Sequence, residues 1–131
     1  MVCGNNENLR RVLEKHTFPF PVTIFGFIDF MADLMEASDL IIAKSGGSTT
    51  TEALTKGIPM IVIAPIPGQE TRNADVLKSR NAAFFMQHPE QILTILRAVL
   101  DHPETLAAKK TEIQRLAKPD AAKNLVDTLL S

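Results

Sequence analysis

Cysteine occurs once, at Cys3. That excludes an internal disulfide framework and a thiolate cluster for a metal, and it suits a reducing compartment. A charge surplus is also missing: 14 basic side chains stand against 15 acidic ones, for a net charge of -1. Such a balance provides no bulk attraction for nucleic acid. Any anion must therefore be held by local donors, such as backbone amides, helix ends or one or two placed side chains. No apolar run approaches the ~20 residues of a spanning helix. The first residues lack the basic-then-apolar pattern of a secretory leader. Contact with a membrane is expected to be peripheral.

What is present is an ordinary globular composition, 45% apolar and 22% charged over 131 residues. A single domain of that length buries roughly two thirds of its unfolded surface. Residues 22–25 form a short β-branched and aromatic run that Gly26 ends, and residues 31–37 read as a short helix. Residues 40–43 are apolar throughout, as expected of a strand buried on both faces. A helix over 49–56 stops at Gly57 with Pro59 beyond it. Residues 60–64 are a second apolar run, followed by a helix over 70–79 and a strand over 83–86. Three amphipathic helices complete the chain, the second opened by Pro103 and the last following Pro119. The alternation predicts an α/β fold, a Rossmann-like parallel sheet flanked by helices. The start is unusual. Val2 and Cys3 look like the end of a strand, and a helix over 7–15 follows at once, so the fold is expected to lack its first strand-helix unit.

The stretch with most chemical content is Lys44-Ser-Gly-Gly-Ser-Thr-Thr-Thr-Glu52. It leaves a buried strand and opens a helix. Gly46 and Gly47 allow a tight turn and the close approach of a ligand. The amides of Gly47, Ser48 and Thr49 then point outward at the positive helix end, a site suited to a diphosphate. The lysine precedes the glycines, so this is not a Walker loop. A plainer alternative carries equal weight on local pattern: Ser48 or Thr49 caps the helix and Glu52 completes a capping box. Glu52 lies about one turn from Ser48 and Thr49 and so shares their side of the helix. A carboxylate there suits the vicinal hydroxyls of a ribose. The loop running from Pro65 to Asn73 lies at the same end of a parallel sheet, where α/β folds bind ligands. Its Gln69, Glu70 and Asn73 carry donors and acceptors able to read sugar hydroxyls. The alternative there is a solvated turn. A third loop, Gly26-Phe27-Ile28-Asp29, has apolar side chains and free backbone groups that suit a base. Judged one at a time, Phe27 and Ile28 are more economically core residues.

Taken in order, Gly-Phe-Ile-Asp-x-Met-Ala, Ser-Gly-Gly-x-Thr-x-x-Glu-Ala, Gly-x-Pro and Pro-Gly-Gln-Glu-x-x-Asn-Ala span residues 26–74. This series resembles the C-terminal domain of the GT-B glycosyltransferases that make lipid II and galactolipids or glucolipids. The Pro-Gly-Gln-Glu form is most similar to the diacylglycerol glycosyltransferase branch, and the tail from Lys118 to Val126 resembles the closing helix. The resemblance implies the C-terminal half of a GT-B fold, one UDP-sugar-binding domain over 1–131, truncated at its N-terminus. It implies that Phe27 and Ile28 meet the uracil, that Gly47, Ser48 and Thr49 receive the diphosphate with Gly46 beside them in the donor site, and that Glu52 holds the ribose. Gln69 and Glu70 would hold the donor sugar with Asn73 in support. No metal or cofactor is implied, because amides and helix dipole stabilise the departing diphosphate. The acceptor is expected to be a lipid such as diacylglycerol, met at the cytoplasmic face of a membrane through an N-terminal domain. That missing domain would also supply the catalytic base, so the chain alone is expected to be incompetent. His16, His88 and His102 sit in no motif and receive no role. The competing expectations are the donor-binding subunit of a split transferase, a UDP-sugar 2-epimerase, and a non-catalytic module.

Overall fold

The computed structural model describes residues 1–63 and 68–130. They divide into two compact units, Met1–Leu34 and Met35–Ser131.

In the first unit, Val2 forms an isolated parallel bridge with Phe25. The Phe25 N–H donates to the Met1 carbonyl and the Cys3 N–H to the Phe25 carbonyl, each at 2.8 Å. The strand expected over 22–25 is thus reduced to this bridge. Pro19 and Pro21 remove backbone donors just upstream, and Gly26 ends the run. Helix α1 (Glu7–Glu14) follows an Asn6 cap whose side-chain oxygen accepts from the Leu9 N–H at 3.0 Å. Arg10 lies between Glu7 and Glu14, at 3.4 and 2.9 Å. Exposed pairs of this kind contribute little to stability. Helix α2 (Met31–Glu36) begins in this unit and ends in the next.

The second unit alternates strands and helices: β1 (Ile41–Ala43), α3 (Gly47–Lys56), β2 (Met60–Ile63), α4 (Gln69–Ser79), β3 (Phe84–Met86), α5 (Gln91–Asp101), α6 (Pro103–Leu116) and α7 (Ala121–Leu130). The sheet has the order β1-β2-β3 and both pairings are parallel, with Ile42 opposite Ile61 and Val62 opposite Phe85. Parallel neighbours need a crossover, and α3 and α4 provide it.

Met60, Ile61 and Val62 on β2 are all buried, so the central strand has cover on both faces, as its unbroken apolar run requires. The same expectation fails for β1. Ile41 and Ala43 pack against the core, but Ile42 is 49% exposed. As the outer strand of the described sheet, β1 has a strand neighbour on one side only, and its second face is left thinly covered. The main core gathers Met60 and Val62 with Met35, Ala53, Ile58, Leu77 and Ile113.

Two helix ends are closed by left-handed residues. Gly57 (φ 71°) ends α3, with the Ile58 N–H reaching back to the Ala53 carbonyl at 2.8 Å. This is the stop that Gly57 and Pro59 imply. Asn81 (φ 52°) ends α4 in the same way, the Ala82 N–H meeting the Leu77 carbonyl at 2.8 Å. Asn is the side chain that best tolerates this backbone after glycine. Here it also receives a hydrogen bond from Lys109 Nζ of α6, which lies 5.0 Å from the centroid of the Phe84 ring. Lys109 is only 9% exposed, and its burial lowers the ammonium pKa from the usual 10.5.

Candidate functional site

Because the strands are parallel, the turns after β1 and β2 leave the same end of the sheet, the place where open α/β sheets bind ligands. The first turn departs from the expected capping. Helix α3 starts at Gly47, two residues earlier than its pattern implies, and its cap is Gly46 at φ -63° and ψ 147°. No side chain caps it. Ser48 and Thr49 therefore lie within the first turn, and Glu52 is too far along to complete a capping box. The plainer alternative for this stretch is overturned.

The consequence is chemical. The first helical hydrogen bond runs from the Thr50 N–H to the Gly46 carbonyl at 2.9 Å. The amides of Gly47, Ser48 and Thr49 precede it and have no acceptor within the helix. Gly47 and Ser48 are exposed and Thr49 half-buried. Three amides without a helical acceptor, at the positive end of a helix dipole, are the chemistry that suits an anion. Glu52 is exposed one turn further along, four residues from Ser48 and three from Thr49. Thr50 is buried, and its hydroxyl has no partner among the described residues.

The second turn ends at Gly68, whose φ of 111° lies where side chains other than hydrogen are strained. Helix α4 then begins at Gln69, again without a side-chain cap. Residues 64–67 and the side chain of Gln69 lie outside the described part of the structure, so the expected sugar-binding role of Gln69 has no side-chain geometry here. Glu70 and Asn73 are half-buried on the first turns of α4. Two hydrogen bonds tie this helix to the first turn. Ser45 Oγ donates to the Glu70 carbonyl at 2.8 Å, and Asn73 Nδ2 donates to the Ser45 carbonyl at 2.8 Å. Ser45 belongs to the Ser-Gly-Gly turn, but the pattern by itself assigns it no role. Its only local signal is a polar residue between an apolar strand and a glycine pair.

In the first unit, Phe27 is 74% exposed and Ile28 half-buried. The more economical expectation, that Phe27 is core, is corrected: the backbone turns at Gly26, and the ring is left in solvent. Phe25, two residues earlier, is the ring held in contact, 5.7 Å from Phe30 and edge-on.

The glycosyltransferase family 28 C-terminal domain matches residues 1–125 of the chain. The chain belongs to that family. Among curated family 28 relatives, the processive diacylglycerol β-glucosyltransferases of Bacillus cereus strain AH820 and Bacillus thuringiensis strain Al Hakam are each 30% identical. The alignments cover 100% and 99% of this chain and 34% of each relative. The chain thus spans about a third of the length of these relatives. Among solved structures, Acinetobacter baumannii MurG superposes with a TM-score of 0.77 at 27% identity, over 96% of this chain and 38% of that one. The spinosyn forosaminyltransferase SpnP superposes at 0.64 with 20% identity over 89% of this chain and 34% of that one, a likeness of fold. The three-stranded parallel sheet with its helices is the architecture of a GT-B C-terminal domain.

The three histidines of this family 28 domain make local contacts. His102 pairs through Nδ1 with Glu104 at 3.0 Å, and His16 lies edge-on to Phe18 at 4.7 Å. The backbone N–H groups of Gln87 and His88 both donate to Gln91 Oε1. Among the described residues, no group of three or more His, Cys, Asp or Glu is placed to hold a metal. No described helix is long and apolar enough to cross a membrane.

Proposed function

We propose that this domain binds the UDP-sugar donor of a glycosyltransferase that transfers a hexose to a lipid acceptor such as diacylglycerol. The observation that carries the reading is the uncapped start of α3, three amides at a helix N-terminus with an exposed carboxylate one turn away. The amides of Gly47, Ser48 and Thr49 receive the diphosphate, and Gly46 leaves room for it. Glu52 accepts both hydroxyls of the ribose. Gln69 and Glu70 hold the donor sugar with Asn73 in support, and Phe27 and Ile28 flank the uracil.

In the whole enzyme, a base removes the proton from a lipid hydroxyl as its oxygen attacks the anomeric carbon. The bond to the β-phosphate breaks and UDP leaves. Negative charge grows on the diphosphate during that step, and preorganised amides at a helix N-terminus stabilise it without reorganising. This chemistry asks for no metal at the phosphates. The base and the acceptor site belong to the part of the enzyme outside this chain, which also meets the cytoplasmic face of the membrane. On this reading the chain alone binds donor and does not transfer. Family 28 membership and the diacylglycerol glucosyltransferase relatives support a transferase over an epimerase.

Titration calorimetry with UDP, 2′-deoxy-UDP and uridine tests the reading. UDP is expected to bind best, uridine to lose the diphosphate contribution, and 2′-deoxy-UDP to lose part of the Glu52 contribution. Replacing Glu52 by Ala removes charge-assisted hydrogen bonds worth about 1.5–3 kcal/mol, so UDP weakens at least about tenfold. It also abolishes the preference for UDP over its 2′-deoxy form. Saturable UDP binding that Glu52→Ala leaves unchanged would remove Glu52 from the site, and no binding at all would sink the proposal.

A further inference from the structure

We propose that Ser45 is a positioning residue. With Asn73 it forms a latch that holds the first turn of α4 at a set offset from the start of α3, and so couples sugar recognition to diphosphate binding. This rests on the donor-site reading above. Both helices start at glycines with no side-chain cap. A methyl group built at Gly46 or at Gly68 would touch nothing within 4 Å. Neither helix start is therefore fixed by a capping side chain of its own.

The latch supplies that restraint. Ser45 is 0% exposed and immediately precedes the glycine that caps α3. It donates through Oγ to the carbonyl of Glu70 and accepts through its own carbonyl from Asn73 Nδ2, both at 2.8 Å. One residue thus makes two hydrogen bonds of opposite sense to residues three apart on α4, which constrains both distance and rotation. A carbonyl oxygen has two lone pairs, so Glu70 takes the hydroxyl without giving up a helical partner. Both bonds run between the β1–α3 turn and the first turns of α4. Residues assigned to the diphosphate lie on one side of the latch, and those assigned to the sugar lie on the other.

Being fully buried, Ser45 cannot touch a ligand, which makes Ser45→Ala the decisive variant. Asn73 is half-buried and assigned to the sugar, so Asn73→Ala serves as a second variant rather than the deciding one. The 131-residue chain is titrated with UDP and with UDP-glucose, UDP-galactose and UDP-N-acetylglucosamine, keeping whichever sugar nucleotide the unaltered protein binds best. Amide exchange across residues 73–76 and across α6 is followed without ligand. Ser45→Ala is expected to leave UDP affinity within about twofold and to weaken the sugar nucleotide at least about fivefold. Exchange at 73–76 rises about tenfold while α6 stays protected. The double variant is no worse than the more severe single one, because the two bonds act as a unit.

Equal weakening of UDP and the sugar nucleotide would mean a general structural role and would overturn the proposal. Unchanged exchange at 73–76 would overturn it as well. If the unaltered protein binds no UDP, the donor reading and the specificity role fall together, and the exchange measurement still reports whether the brace exists. If Ser45→Ala does not fold, Asn73→Ala carries the exchange test and the paired titration.

Discussion

Replacing Gly46 by Ala separates a glycine needed for the fold from one needed for a ligand. Its backbone, at φ -63° and ψ 147°, is open to any L-residue, and a Cβ there meets nothing within 4 Å. Alanine narrows the unfolded ensemble, which stabilises by about 0.4–1 kcal/mol. It is also a poorer N-cap than glycine, by roughly 0.5–1 kcal/mol. The two terms oppose each other and nearly cancel, so the unfolding free energy is expected to move by less than about 1 kcal/mol. Ligand binding is expected to respond quite differently. A methyl at the cap displaces a phosphate oxygen from the amides of Gly47 and Ser48. Losing a single charge-assisted hydrogen bond costs about 1.5–3 kcal/mol, and 1.4 kcal/mol is a factor of ten. Urea unfolding followed by circular dichroism reads the first quantity, and calorimetry with UDP reads the second. The expected result is an unmoved midpoint with UDP at least about tenfold weaker. UDP affinity within twofold of the unaltered protein would refute the placement of the phosphate. A stability loss beyond about 2 kcal/mol would refute the backbone reasoning.

Gly57 makes the opposite case: at φ 71° with open space around it, Gly57→Ala costs roughly 1 kcal/mol through backbone strain alone, measurable as a lower urea midpoint with unchanged UDP affinity. Lys109 gives a pH signature. Burial holds its folded pKa below the ordinary 10.5, so between those two values the unfolded chain binds more protons than the folded one. Stability from this group therefore rises with pH across that window and is lowest below it. Subtracting the unfolding curves of Lys109→Met from those of the unaltered protein between pH 8 and 11 should isolate the slope; a flat difference would show that the ammonium is not desolvated in the fold.

Much of the architecture follows from local pattern. Apolar runs at 40–43 and 60–64 place β1 and β2, the Gly57 and Pro59 pair stops α3 at the residue where it ends, and α4 is found within one residue. The Ser-Gly-Gly turn and Glu52 one helical turn away are legible for the same reason, since turn chemistry and the 3.6-residue period act over a few residues. The capping residue is not legible locally, because Ser and Thr have the higher intrinsic preference for that position while the fold places Gly46 there. In the fold the Thr50 N–H reaches Gly46, so the helix begins two residues early and its first amides have no helical acceptor.

Local pattern decided which residues form strands and helices and where glycine must turn the chain. Tertiary structure alone decided that Ser45 would brace Glu70 and Asn73, 25 and 28 residues away, and that Lys109 would be buried against Asn81 and Phe84. It also decided that Ile42 and Phe27 would stay in solvent despite their apolar side chains. The division has one physical cause. Backbone propensity and periodicity act between near neighbours along the chain, whereas burial and side-chain hydrogen bonds depend on which distant segments the packed sheet brings side by side.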